Sequence, residues 1–145
     1  MKISTRGRYG LKAVVDIAYH TQSVKCVSLK AIAVRHGISE NYLEQIIAPL
    51  KKAGVLISVR GAGGGYYLSK SPEKITIGEI LRVLEGSLAP VDCVVEDDAA
   101  CGESDCNSCT VKPLWSKLFD SINNVVDSAT IADLLKEEEN ASGLS

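Results

Sequence analysis

Apolar residues up to residue 54 repeat with the period of an α-helix in three successive segments. The first segment lies within residues 7–19, and Ser28 and Ser39 are suited to cap the second and the third. Gly37 can end the second segment in a left-handed conformation. Pro49 lies inside the third segment, where it predicts a kink or a shortened last turn. The pattern predicts three helices, of which the last two are joined by a tight turn.

The period of the pattern changes after residue 54. Residues 55–59 and 66–69 are rich in β-branched and apolar side chains, and a glycine-rich stretch at 60–65 separates them. Two short strands around such a tip predict a β-hairpin. Two helices joined by a tight turn and followed by a hairpin are the order of a winged helix-turn-helix, whose second helix can enter the major groove of DNA.

The rest of the chain is predicted to be helical, except for residues 87–111, which show no usable period. A capping box at Thr76 begins one helix. A long helix with an apolar stripe begins at Pro113, and a second capping box at Thr130 begins a short last helix that frays from Glu137 onward. The predicted fold class is therefore mostly α with a small β-hairpin wing.

Charge divides the chain into two unlike halves. Residues 1–75 hold 12 Lys and Arg against 4 Asp and Glu, a net charge of +8. Residues 76–145 hold the other 4 against 14, a net charge of −10, and the two halves together give −2. A basic half joined to an acidic half is expected when one end of a protein meets a polyanion, although solvated faces alone could give the same asymmetry.

The basic half carries side chains that suit contact with DNA. The third predicted helix turns Asn41, Glu44 and Gln45 outward when its apolar stripe faces the core. At the hairpin tip, glycines let backbone amides approach phosphates, and Arg60 can reach into a narrow minor groove. The tip is not a nucleotide-binding phosphate loop, because no Gly-Lys-Ser/Thr follows it.

Three segments resemble a family of small bacterial regulators that includes the iron–sulfur assembly regulator IscR, the nitric oxide sensor NsrR and the cysteine-metabolism repressor CymR. They are MKISTRGRYG at 1–10, YLEQ at 42–45 and SVRGAGGGY at 58–66. The resemblance extends from Met1 to about Lys136 and is closest to the IscR-like branch. It implies a homodimer, held together by the long C-terminal helix, that binds a pseudo-palindrome in double-stranded DNA.

The resemblance also implies a division of the chain and a set of DNA contacts. Residues 1–86 would form the winged helix-turn-helix DNA-binding domain and 87–112 a cysteine-rich cluster-binding loop. Residues 113–139 would form the dimerisation helix and a short terminal helix, and 140–145 a flexible tail. The expected DNA-binding residues are Ser39, Asn41, Glu44, Gln45, Ser58, Arg60, Gly61, Gly63 and Gly64.

Four of the five cysteines lie within 17 residues of the acidic half. Cys93, Cys101, Cys106 and Cys109 follow the spacing C-x7-C-x4-C-x2-C. Thiolates are soft ligands that suit an iron–sulfur cluster or zinc. The bacterial ferredoxin spacing is absent, and a structural zinc site usually has two close cysteine pairs, of which this sequence has one. The spacing therefore favours an iron–sulfur cluster, for which we favour 2Fe–2S over 4Fe–4S.

One position departs from the pattern of the cluster-binding members of the family. Aligned on the pair Leu114–Trp115, Cys109 matches the third cysteine of these relatives, and Lys112 stands where they have a ligand histidine. Protonated lysine has no lone pair to donate. Cys106 is the obvious substitute, and a ligand from elsewhere, including the partner subunit, is the alternative. The predicted ligands are Cys93, Cys101 and Cys109, with Cys106 as the fourth.

These observations favour a cluster-dependent transcription regulator. The resemblance to the IscR-like branch implies that it controls genes of iron–sulfur cluster assembly. Two alternatives stay open: a cysteine-metabolism or thiol- or nitric-oxide-responsive repressor of the same fold, and an iron–sulfur carrier or scaffold. No nucleophile–base pair or paired-carboxylate motif suggests an enzyme. The apolar runs are too short to cross a membrane and no signal-peptide cleavage site follows the basic N-terminus, so we expect the protein in the reducing cytoplasm.

Overall fold

A computed structural model describes residues 2–95 and 109–143 of the chain. In these ranges the helices are α1 (Thr5–His20), α2 (Leu29–His36), α3 (Glu40–Lys52), α4 (Ile77–Glu85), α5 (Lys112–Ser128) and α6 (Ile131–Gly143). The strands are β1 (Leu56–Val59) and β2 (Gly65–Leu68), and short 3₁₀ turns lie at Pro72–Lys74 and Asp92–Val94. This element order confirms the predicted mostly α fold with a β-hairpin wing.

Hydroxyl side chains cap the helices at the predicted positions. Ser28, Ser39 and Thr76 each accept a hydrogen bond from the backbone N–H three residues later, at 3.0–3.1 Å. Gly37 ends α2 with a φ of 65°, which is the left-handed conformation that glycine adopts without a steric penalty. The turn between α2 and α3 therefore follows directly from the local sequence.

Pro49 does not end α3 early, and one helix end differs from its predicted position. Helix α3 continues past Pro49 to Lys52, because the amide of Ala53 donates to the carbonyl of Pro49 at 2.9 Å and maintains the ladder. Helix α6 continues to Gly143 rather than fraying from Glu137. A hydrogen bond from Gln22 Nε2 to Glu139 Oε1, at 2.9 Å, fastens this extension to the turn after α1.

The wing is a two-stranded antiparallel hairpin in the register Leu56 to Leu68 and Val59 to Gly65. The segment before α2 pairs with it: the amides and carbonyls of Val27 and Tyr66 exchange hydrogen bonds of 3.0 and 2.8 Å. Together with a hydrogen bond from Cys26 Sγ to the carbonyl of Gly63 at 3.3 Å, these bonds attach the start of the helix-turn-helix to the wing.

Helix α1 lies at the centre of the core and packs against α2, α3, α4, α6 and β2. Gly10 is the point of closest approach, because a Cβ there would lie 2.1 Å from Leu84 Cδ1 on α4 and 3.1 Å from Ile46 Cγ2 on α3. Helix α5 packs against α4 and contains no buried residue. In the described part of the chain, no helix is both long and apolar enough to cross a membrane.

Candidate functional site: a nucleic-acid interface and two cysteines

The outward face of α3 carries the polar residues that the sequence assigned to base contacts. Asn41, Glu44 and Gln45 are all exposed, whereas the apolar stripe of the same helix is buried. Ser39 is exposed as well, but its hydroxyl accepts a hydrogen bond from the amide of Tyr42 at 3.0 Å and caps the helix. The structure thus brings four of the predicted residues together at the N-terminal end of α3.

The tip of the wing carries the second group of predicted residues. Arg60 is exposed there, beside Gly61 and Gly63, whose φ angles are 95° and 78°. A Cβ on Gly64 would lie 2.2 Å from the carbonyl oxygen of Val59 across the turn. Three of the tip glycines are therefore required by the turn itself, so the glycine content is weaker evidence for phosphate contact than the sequence suggested.

A concave polar surface lies beside the wing, at the end of α3. A cavity of about 340 Å³ lies between the start of α2, the end of α3 and the wing. Its lining includes Ser58, Arg60 and Lys51. Lys51 was not among the predicted contacts, although it lies seven residues after Glu44 and so on the same face of α3. Two cations on one concave surface suit a phosphate of a nucleic-acid backbone.

Tyr66 connects the wing to α3 electrostatically. Burial raises the pKa of this phenol, and the nearby Glu44 carboxylate raises the pKa further. The phenol therefore stays neutral at physiological pH and keeps a proton to donate. Glu44 is thus close to β2 of the wing, and it remains exposed on the outward face of α3.

A buried carboxylate that the sequence analysis did not assign lies behind this interface. Asp16 of α1 accepts hydrogen bonds from Arg35 Nη2 at 2.7 Å and Arg35 Nε at 2.8 Å, and its Oδ2 lies 3.0 Å from His36 Nε2. The hydrogen bond to Asp16 raises the pKa of Arg35, which keeps the guanidinium charged. A single charge between the apolar residues Val15 and Ile17 was the sequence feature that could have revealed this cluster.

Two of the four predicted metal ligands lie in the described part of the chain. Cys93 is buried, with 8% of its surface exposed, in a 3₁₀ turn that packs against α5. Cys109 is half-buried and lies three residues before the start of α5. Cys101 and Cys106 lie outside the described residues, within which no group of three potential metal ligands is found. The assignment of these cysteines as ligands stays a prediction.

Lys112 is the first residue of α5, and its amide nitrogen lies 3.4 Å from the carbonyl oxygen of Cys109. The position that carries a ligand histidine in cluster-binding relatives is therefore attached directly to Cys109.

Comparison with known proteins identifies the family. Residues 3–137 match the Rrf2 family, described as iron-dependent transcriptional regulators. The chain is 43% identical to the transcriptional regulator CymR of Bacillus subtilis, over 92% of this chain and 89% of that one. It is 36% identical to the transcriptional regulator IscR of Vibrio campbellii, over 96% of this chain and 80% of that one.

Solved structures give the same result. The structure of CymR, the global cysteine regulator of B. subtilis, matches with a TM-score of 0.77 and 40% identity, over 94% of this chain and 98% of that one. The structure of T. potens IscR matches with a TM-score of 0.77 and 46% identity, over 97% of this chain and 90% of that one. These values do not separate the two branches. These named relatives are transcription regulators rather than enzymes, and the chain belongs to the Rrf2 family of winged helix-turn-helix transcription regulators.

Proposed function

We propose that this regulator binds double-stranded DNA as a homodimer and that an iron–sulfur cluster held by its cysteine segment controls the binding. The observation that carries the proposal is the combination of a regulator fold with four cysteines in 17 residues. Two of them, Cys93 and Cys109, lie next to α5. The proposed regulated genes are those of iron–sulfur cluster assembly, as the resemblance to the IscR-like branch implies.

In the proposed complex, the N-terminal end of α3 enters the major groove and the wing lies along the minor groove. Asn41 and Gln45 are exposed amides that can pair with base edges, and Asn and Gln bind adenine in two-point contacts. Glu44 can accept a hydrogen bond from cytosine N4 but repels phosphates, so it contributes selectivity rather than affinity. Arg60 and Lys51 supply the positive charge for the backbone and the minor groove.

Helix α5 is the proposed dimer interface. It is 17 residues long without a single buried side chain, and 57% of Leu114 and 66% of Val125 are exposed. An apolar stripe of this length is unfavourable in water and gains stability when a second copy covers it. A groove of about 810 Å³ between α1 and α6, lined in part by Leu11, Val15 and Tyr19, offers a further apolar surface to such a partner.

The described cysteines fit a soft metal centre. Cys93 is buried and Cys109 half-buried, so both thiols are shielded from bulk water, and the turn that carries Cys93 packs against α5, which begins just after Cys109. We propose that these two, with Cys101 and Cys106, hold the cluster. When bound, the group would supply a charge and redox state that respond to iron and oxidants.

A packed route leads from the cysteine segment to the DNA-reading helix. Glu85, the last residue of α4, accepts hydrogen bonds from the backbone amide of Ser4, at 3.1 Å, and from its hydroxyl, and so holds the start of α1. Its neighbour Leu84 packs against Gly10 of α1, as Ile46 of α3 does. A displacement of residues 86–95 would therefore shift the end of α4 and, through these contacts, α1 and α3.

The second candidate is a regulator of cysteine metabolism that works without a cluster. It is supported by the 43% identity to CymR of Bacillus subtilis and by the lysine at position 112. In this case the cysteine segment would respond through thiol chemistry or a protein partner, with the same fold and the same DNA interface.

The two candidates differ in iron content, which is the test. The wild-type protein and four single variants, in which each of Cys93, Cys101, Cys106 and Cys109 is replaced by Ala, are purified anaerobically. Iron, acid-labile sulfide and the visible spectrum are measured for each, together with binding to a duplex that the wild type selects from a randomised library. We expect a cluster in the wild type, its loss in each variant and an altered DNA affinity when it is lost.

A matched control is Cys26→Ala, which removes a thiol outside the cysteine segment and should leave the iron content unchanged. Iron-free wild-type protein that still selects a duplex would contradict the cluster and favour the second candidate. A Cys106→Ala variant with wild-type iron and spectrum would show that the fourth donor is another group. Lys112→His should then be unable to improve a site that is already complete.

A further inference from the structure

Asp16 is the one buried charged side chain among the residues that the structure describes, with 8% of its surface exposed. Arg35 binds both of its oxygens in a two-point contact, and Oδ2 also meets Nε2 of His36. Because the carboxylate accepts, Nε2 of His36 is the donor. Burial of a charge is unfavourable unless the charge is paired, and apolar residues of similar volume often stabilise a core equally well. Stability alone therefore does not account for a charged pair at this position.

Helix α2 depends on the pair because it has few other attachments. It is eight residues long and buries only Ile32 and Ala33. Its last three residues are not buried, and Val34 among them is 73% exposed. The start of α2 is bonded to the wing through Val27, and its end is held on α1 through Asp16. Directional polar contacts therefore fix both ends of the helix.

The end of α2 in turn determines where α3 begins. Ser39, the cap of α3, follows His36 by three residues. The intervening turn is tight, since the amide of Ile38 donates to the carbonyl of Ala33 at 3.1 Å and Gly37 adopts its left-handed conformation. A tilt of the end of α2 would therefore move the N-terminal end of α3 relative to the wing.

We propose that Asp16 is a positioning residue for DNA recognition: through Arg35 and His36 it holds the end of α2 on α1 and so sets the placement of α3 relative to the wing. This inference rests on the proposed DNA interface. Base contacts require a fixed geometry, whereas phosphate contacts tolerate variation. Loss of the Asp16 cluster therefore lowers sequence selectivity and leaves general affinity for DNA in place.

The test compares the affinity of each variant for two DNA probes. One probe is the duplex that the wild type selects from a randomised library, and the other is a scrambled duplex of the same composition. The key variant is the double substitution Asp16→Leu with Arg35→Met, which removes the buried pair without changing the net charge. Thermal unfolding of the same samples separates stability from recognition.

We expect the double variant to fold, with an unfolding temperature above that of Arg35→Met alone, because the single change leaves a buried carboxylate without its main partner. Its affinity for the selected duplex should fall at least about tenfold, while its affinity for the scrambled duplex changes less than about twofold. The control is Lys70→Met with Glu79→Leu, which removes a partly exposed ion pair that does not line the cavity at the wing and should keep the wild-type ratio of affinities.

Variants of His36 test the inference independently of a buried charge. His36 is half-buried, so both His36→Gln and His36→Leu should fold. Glutamine can donate to Asp16 from its amide nitrogen and should keep most of the selectivity, whereas leucine cannot and should lose it. Wild-type selectivity in His36→Leu, or in a folded double variant, would overturn the inference. A wild-type protein that selects no sequence would instead overturn the DNA interface itself.

Discussion

Two helices of this protein carry apolar stripes of similar spacing, but the stripes have different surroundings. In α3, the residues of the stripe, Leu43, Ile46, Ile47 and Leu50, are at most 1% exposed, because α1, α4 and the wing cover them. In α5, the stripe that begins at Leu114 and ends at Val125 includes no buried residue. The first helix completes the core of its own chain, and the second leaves apolar surface in contact with water.

The comparison teaches that periodicity identifies the apolar face of a helix but not the surface that covers it. Helix α3 can turn its polar face to DNA because its own chain fully occupies the other face. Helix α5 adds no buried residue to the core of the protomer, although α4 and α6 of the same acidic half do. In the proposed dimer this difference assigns DNA recognition to α3 and assembly to α5.

The largest effect is expected from a charge placed on the apolar stripe of α5, none of whose residues is buried. We expect Val125→Glu to convert the dimer to monomers, because each interface would bury two unpaired carboxylates, each at about 3–5 kcal/mol. In a single chain the same glutamate is solvated, since Val125 is 66% exposed. Sedimentation measures the outcome, with Val34→Glu on the 73% exposed Val34 of α2 as the control. A Val125→Glu variant that stays dimeric would place the interface elsewhere.

The same leucine-to-alanine change in each stripe compares the contributions of α3 and α5 to stability. Leu43→Ala should lower the free energy of unfolding by about 2–5 kcal/mol, because it leaves a cavity in the core. Leu114→Ala, at a residue that is 57% exposed, should cost less than about 1 kcal/mol in the monomeric Val125→Glu background. Urea denaturation gives both values. Equal costs for the two truncations would show that α5 is covered within its own chain.

The next effect concerns the DNA-binding half. Arg60→Ala should weaken binding to the selected duplex about tenfold and lower the salt slope of binding by about one ion, because the contact releases counterions. Lys74→Ala removes the same charge from an exposed turn outside the proposed interface and is the matched control. Titrations at several salt concentrations distinguish the two variants, and equal slopes would remove Arg60 from the interface.

The smallest effect lies at the contact between α4 and α5. Arg82 of α4 donates to Asp127 of α5 at 2.6 and 2.9 Å, and these hydrogen bonds hold the pKa of Asp127 below the ordinary carboxyl value of 3.8. A lowered pKa means that the bond stabilises the fold at neutral pH and that this stabilisation is lost as pH falls through the folded value. Because both side chains are largely exposed, the loss should be small. An NMR titration of the Asp127 carboxyl should show its midpoint return toward 3.8 in Arg82→Met.

Much of the fold and part of the site follow from the sequence alone. The caps at Ser28, Ser39 and Thr76 and the left-handed Gly37 depend on hydrogen bonds that span only three to five residues. Local contacts of this kind can be predicted from the order of residue types. The hairpin and the exposed polar face of α3 follow in the same way, because a period of two or 3.6 residues fixes which side chains share a face.

Only the tertiary structure decided which of these elements meet. Asp16 and Arg35 are 19 residues apart, and nothing in either segment specifies that α1 and α2 cross at this point. The contact of Gly10 with both Leu84 and Ile46 depends on how three helices pack together. The covering of the α3 stripe and the exposure of the α5 stripe have the same origin, since burial is a property of the assembled chain and the apolar spacing of the two helices is alike.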